Sequence, residues 1–146
     1  MVRSRARLAL PIVLAIFVAC AVIQVFLAGL GVFNDPGAFV THREFGYAFG
    51  WLTLVALILA LIAGSPRRIT GPVALLLLLF ALQSVFVAVR ADLPMVAALH
   101  PLNGFLLLGT AFVATRRAWD ARRAPAAADT DAPEDPRLAS AAEAGR

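Results

Sequence analysis

Four long apolar runs decide most of what this chain can become. They cover roughly residues 8–31, 39–63, 72–90 and 95–115. Each is near or above the ~20 residues a helix needs to cross the hydrocarbon core of a bilayer. Backbone groups in lipid must find partners within their own segment, so each run is predicted to be a helix. The chain is 61% hydrophobic and 15% charged, with a mean hydropathy of +0.84. A soluble domain of 146 residues could not hide so much apolar surface. The fold class expected is therefore all-α, a polytopic membrane four-helix bundle.

The breaks between the runs carry turn chemistry. "GVFNDPG" at 31–37 and "RADLP" at 90–94 each hold an aspartate shortly before a proline. Aspartate caps helix starts, and proline fits the first turn. "GSPRRITGP" at 64–72 is a Gly/Pro/Ser connection. From 119 to 146 the composition shifts to Ala, Pro, Asp and Glu with almost no large apolar residue. That segment is expected to be a disordered cytoplasmic tail after a bundle spanning 1–118.

The charges orient the bundle. All 13 basic residues are arginines. Arg3, Arg5, Arg7, Arg67, Arg68, Arg116, Arg117, Arg122 and Arg123 fall on one side, against Arg43 and Arg90 near the other. The positive-inside rule then places both termini in the cytoplasm, in a multi-pass protein of a bacterial inner membrane. These scattered arginines lack the aromatic interleaving of a nucleic-acid surface, so no nucleic-acid partner is expected. The basic start followed by an apolar stretch and Cys20 faintly suggests a lipoprotein signal. Phe17 fits such a box poorly, and the apolar run continues ten residues past Cys20, so the segment is read as a retained span. A single cysteine cannot support a membrane thiol oxidoreductase. Cys20 is read as a small buried residue.

The only two histidines sit in a repeat. Gln24, Pro36, His42 and Gly46 in the first half correspond to Gln83, Pro94, His100 and Gly104 in the second. Proline to histidine is six positions in both, and histidine to glycine is four in both. Phe49 then matches Leu107, and Thr53 matches Ala111. The pattern points to a duplicated two-helix unit. At ~1.5 Å per residue, Gln24, Gln83, His42 and His100 fall at one level, ~10 Å below the outer surface. His42, Gly46, Phe49, Thr53 and Ala56 share one helical stripe. His100, Gly104, Leu107, Ala111 and Ala114 share another.

In an up-down-up-down bundle, spans two and four are diagonal, so the two histidines would face each other. Two imidazoles at one depth suit bis-histidine ligation of a b-type haem. Gly46 and Gly104 would then clear space for the porphyrin, with Arg43 and Arg90 near the propionates. The simpler readings stand beside this one. Membrane histidines serve as interhelical hydrogen-bonders, and glycines allow close helix approach. Arg43 and Arg90 can snorkel to the interface. Gln24 and Gln83 are more readily packing hydrogen-bonders than ligands. A zinc site is poorly supported, because no cysteine or carboxylate shares the histidines' level.

The four-helix unit with a histidine near the outer end of helices two and four resembles one half of a haem A synthase. The residues that carry the likeness are "THR" at 41–43 and "ALHPLNG" at 98–104, within about residues 8–118. The sequence departs from that family at Phe39, where the family usually has a glutamate, and in lacking an extracellular cysteine pair. The chain also resembles an uncharacterised family of small bacterial four-span proteins. The reading reached is an integral membrane haem-binding protein for electron transfer or haem handling. A quinone or redox protein would be its partner, and homo- or hetero-oligomers are open. A haem A synthase-like oxidoreductase and a cofactor-free structural subunit of a membrane complex are the alternatives.

Overall fold

The computed structural model describes residues 1–123. The helices are α1 (Val2–Phe33), α2 (Ala38–Ile62), α3 (Arg67–Ala88), the single turn α4 (Pro94–Ala97) and α5 (Leu99–Arg123). There is no strand among the described residues. α1, α2, α3 and the α4–α5 pair are each long and apolar enough to cross a membrane. The protein is an integral membrane four-helix bundle.

Local chemistry sets the ends of these helices. α2 closes on Gly64, whose φ of +62° is a conformation only glycine adopts freely. Gly64 N–H donates to the Leu61 carbonyl and Ser65 N–H to the Ala60 carbonyl at 3.0 Å, the paired closure of a Schellman motif. Pro66 then stops any continuation. At the other end, Asp35 does not cap α2, as the Asp-Pro pattern had suggested. Its carboxylate accepts from Gly37 N–H at 2.9 Å and shapes the turn itself. Asp92 likewise caps no helix; α4 starts after Leu93 without a side-chain cap. The fourth span breaks at Ala98. Pro101 has no N–H for the Ala97 carbonyl four residues earlier, which interrupts the ladder there.

Two helices run further than hydropathy suggests. α1 begins at Val2, so Arg3, Arg5 and Arg7 extend it beyond its apolar part. Arg7 turns back and donates from Nε to the Ala63 carbonyl at the end of α2, at 3.2 Å. α5 continues to Arg123, through the first residues of the segment expected as tail. There Arg122 lies over the Trp119 ring, 4.7 Å from its centre. The remainder of that segment, 124–146, lies outside the described residues.

The helices form a closed square. α1 packs on α2, α2 on α3, α3 on α5 and α5 on α1, with no backbone approach across either diagonal. Spans two and four are therefore diagonal, as the up-down-up-down order requires. The core holds Leu10, Leu14 and Phe17 of α1, Phe49, Thr53 and Ala56 of α2, Val73 and Leu76 of α3, and Leu107, Ala111 and Ala114 of α5. Both predicted stripes thus point inward. The Thr53 hydroxyl, buried among them, donates to the Gly50 carbonyl at 2.8 Å. Large apolar residues such as Phe26, Trp51, Leu78, Phe105 and Phe112 are exposed, where lipid would cover them.

One proline gap is filled from a neighbouring helix. Pro72 lies inside α3, so the Arg68 carbonyl four residues earlier lacks its helical N–H donor. Arg117 of α5 supplies the replacement, donating from Nη1 to that carbonyl at 2.8 Å.

Candidate functional site

The site lies at the end of the bundle opposite the arginine-rich termini. Each half of the chain ties its histidine ring to the carbonyl of its glutamine, forming a latch. In the first, His42 of α2 donates from Nδ1 to the backbone carbonyl of Gln24 on α1, at 3.1 Å. In return the Gln24 side-chain amide donates to the His42 carbonyl at 2.6 Å. In the second, His100 of α5 donates from Nδ1 to the Gln83 carbonyl of α3, at 3.3 Å. A carbonyl oxygen can only accept, so in both histidines Nδ1 carries the proton. That assignment leaves Nε2, in the neutral ring, as the nitrogen with the free lone pair.

The two rings meet across the diagonal. Their centres are 6.3 Å apart, with planes inclined at 60°. The backbones of α2 and α5 make no direct approach, so these side chains bridge the interior at this level.

The halves differ in their surroundings. Three residues after His100, the buried Asn103 donates to the Leu79 carbonyl at 2.8 Å and to Gln83 Oε1 at 2.6 Å. This fixes the Gln83 amide, whose Nε2 donates a long 3.4 Å contact to His100 Nε2. The equivalent position after His42 is Phe45. His42 Nε2 has no hydrogen-bond partner among the described residues, and Gln24 Oε1 is buried without one. Asn103 is a residue that sequence reasoning passed over. It was legible as a polar residue within the spans, three positions after His100 and on the same face.

The predicted site residues divide into two groups. Gln24, His42, Gly46, Gln83, His100 and Gly104 come together. A Cβ on Gly46 would sit 2.6 Å from the Gln24 amide nitrogen, and one on Gly104 3.5 Å from that of Gln83. Gly46 thus admits the glutamine of its own latch, whereas at Gly104 a Cβ would make only an ordinary contact with Gln83. Arg43 and Arg90 turn away from the rings. Arg43 is exposed and pairs with Glu44 at 3.8 Å. Arg90 donates to the Val87 carbonyl at the end of its own helix, at 3.0 Å.

The floor beneath the histidines is aromatic. Phe49 packs on Phe17 with centres 5.1 Å apart, on Phe45 at 5.3 Å and on Phe80 at 6.3 Å. Beneath His42, Gly50 on α2 lets the Phe80 ring come inward against Phe49. Among the described residues, no cluster of three or more His, Cys, Asp or Glu side chains gathers as a metal site.

Comparison with known proteins reaches part of this architecture. Residues 24–89 match the sequence profile described as "Family of unknown function (DUF6220)". The match covers less than half of the chain, from the second half of α1 to the end of α3. It takes in Gln24, His42, Gly46 and Gln83 but stops short of His100 and Gly104. No curated protein matches the chain, and no solved structure does. The likeness to haem A synthases therefore rests on the quoted residues alone.

Proposed function

We propose that this membrane bundle binds one b-type haem between His42 and His100 and serves electron transfer or haem handling. The observation that carries the reading is the close pair of imidazoles, each tied by Nδ1 to a backbone carbonyl, with Nε2 of His42 free and Nε2 of His100 engaged only by the Gln83 amide. Metal-bound histidines typically have their second nitrogen held in this way. The two ring centres lie 6.3 Å apart.

Haem would supply reversible one-electron chemistry. The chain's own residues would do the rest. Gln24 and Gln83 orient the rings through their carbonyls. The Gln83 amide must leave His100 Nε2 to free it. Phe17, Phe49 and Phe80 keep water from the inner side. Arg43 and Arg90 are the cations at this end available to propionates. Glu44 faces outward against Arg43, so the carboxylate nearest His42 in sequence is not aimed at the site. This favours a carrier over a haem A synthase-like oxygenase, and a quinone or redox protein would exchange the electron. Purified protein expressed with ample haem should show a Soret band and sharp reduced bands. A colourless, folded protein overturns the proposal.

A second reading has its own support. The Asn103–Gln83–His100 network is complete as it stands, so the latches alone could lock two hairpins in a cofactor-free subunit of a larger complex. The same spectrum separates the two readings.

Orientation follows from the arginines. We place both termini in the cytoplasm of a bacterial inner membrane, with the histidines near the outer face. A reporter active only outside the cytoplasm should be silent after Arg123 and active when inserted near Pro36. The reverse pattern overturns this topology.

A further inference from the structure

A groove of about 520 Å³ runs along the outside of the bundle between α3 and α5. Its walls include Pro72, Leu75, Phe105, Leu106 and Val113, and Arg117 closes one end. Gly109 forms part of its floor, and a Cβ added there would meet nothing within 4 Å. The groove therefore owes its depth to a missing side chain. From Phe105 to Arg117 is twelve residues, or ~18 Å of helix. Half of a ~30 Å hydrocarbon core is ~15 Å, so the groove has the length of one leaflet.

Its two ends differ in charge. The far end is apolar. At the near end Arg67, Arg68, Arg116 and Arg117 are all exposed. Among the described residues the only ion pair in the molecule is Arg43–Glu44, at the opposite end of the bundle. Asp120 is the one nearby carboxylate on α5, and it lines a separate recess with Arg116, Trp119 and Arg123. Arg117 uses Nη1 on the Arg68 carbonyl, which holds its guanidinium at the mouth of the groove.

From this we infer that the α3–α5 groove is a binding site for an anionic phospholipid. One acyl chain lies along Phe105, Gly109 and Val113, and the phosphate meets Arg117 and its neighbouring arginines. A second copy of the chain suits the groove less well. A twofold contact between copies in one membrane would set this arginine cluster against itself. An anionic headgroup neutralises the cluster, with each basic residue adding to the attraction. The site is remote from the histidines and does not depend on haem.

Native mass spectrometry of the full-length protein released from detergent tests the inference. The additives are phosphatidylglycerol, phosphatidylcholine with the same chains, and inorganic phosphate. Phosphatidylglycerol should remain bound, with occupancy about fivefold above phosphatidylcholine, and phosphate alone should not be retained. Gly109→Leu fills the groove and should abolish the preference. Arg117→Gln should reduce it about fivefold, which keeps the test valid should the leucine variant fail to fold. Equal retention of the two lipids overturns the inference. So does retention of phosphate alone, or a preference that is undiminished in either variant.

Discussion

Replacing either His42 or His100 with alanine is expected to abolish the low-spin haem spectrum. In the proposed site each imidazole would be one of two ligands to the iron, and neither has a substitute at its depth. Gln24 and Gln83 are the other polar side chains at this level, and amides are weak ligands beside imidazole. Each single variant should therefore give a five-coordinate, high-spin species or no haem. The double variant should be little worse than either single one, because both changes break the same site. Optical spectra of the ferric and ferrous protein, normalised to folded protein, read this directly. A normal low-spin spectrum in the double variant rules out the assignment. The surroundings predict a difference between the singles. His42 Nε2 meets no hydrogen-bond partner among the described residues, whereas His100 Nε2 is engaged by the Gln83 amide, which Asn103 holds in place. The variant that keeps His42 should retain more haem.

Gly50→Ala should destabilise the bundle by ~1–3 kcal/mol, the usual cost of adding a methyl group to a filled core. The Phe80 ring occupies the position a Cβ would take at Gly50, and that ring also packs on Phe49. Phe80 cannot retreat without disturbing the aromatic floor under the histidines. Gly71 and Gly109 offer the contrast, since a Cβ at either would meet nothing within 4 Å. Alanine there should be neutral or slightly stabilising, because glycine inside a helix costs ~0.5–1 kcal/mol relative to alanine. Thermal unfolding in detergent distinguishes the three. If Gly50→Ala melts with the other two, the ring contact carries no weight.

Hydropathy made the bundle legible because lipid demands it: four apolar runs of spanning length leave few alternatives to four helices. The repeat was legible because the histidines are so few that a shared spacing to proline and glycine stood out. What stayed hidden depends on which atom meets which. The sequence placed Gln24 and His42 at one depth, but not that carbonyl and Nδ1 join while the side-chain amide returns to the His42 backbone. Asn103 was visible as a polar residue, yet its bonds to Leu79 and Gln83 need the packed α3–α5 pair. Phe49 looked like one position on a stripe of mostly small residues. Its role appears only when Phe17 and Phe80 arrive from other helices. The early start of α1 was hidden for another reason. Arginines at its beginning lower the hydropathy without opposing helix formation.

Each latch joins neighbours in sequence, α1 with α2 and α3 with α5, and only the imidazole rings meet across the diagonal. A lone hairpin carrying one glutamine, one histidine and one glycine at these spacings already contains half of the arrangement. Paired with its own copy about a twofold axis, it would present two opposed rings. Joined in one chain, the two halves are free to differ, and with Asn103 on one side and Phe45 on the other they give the pair of rings two unlike faces.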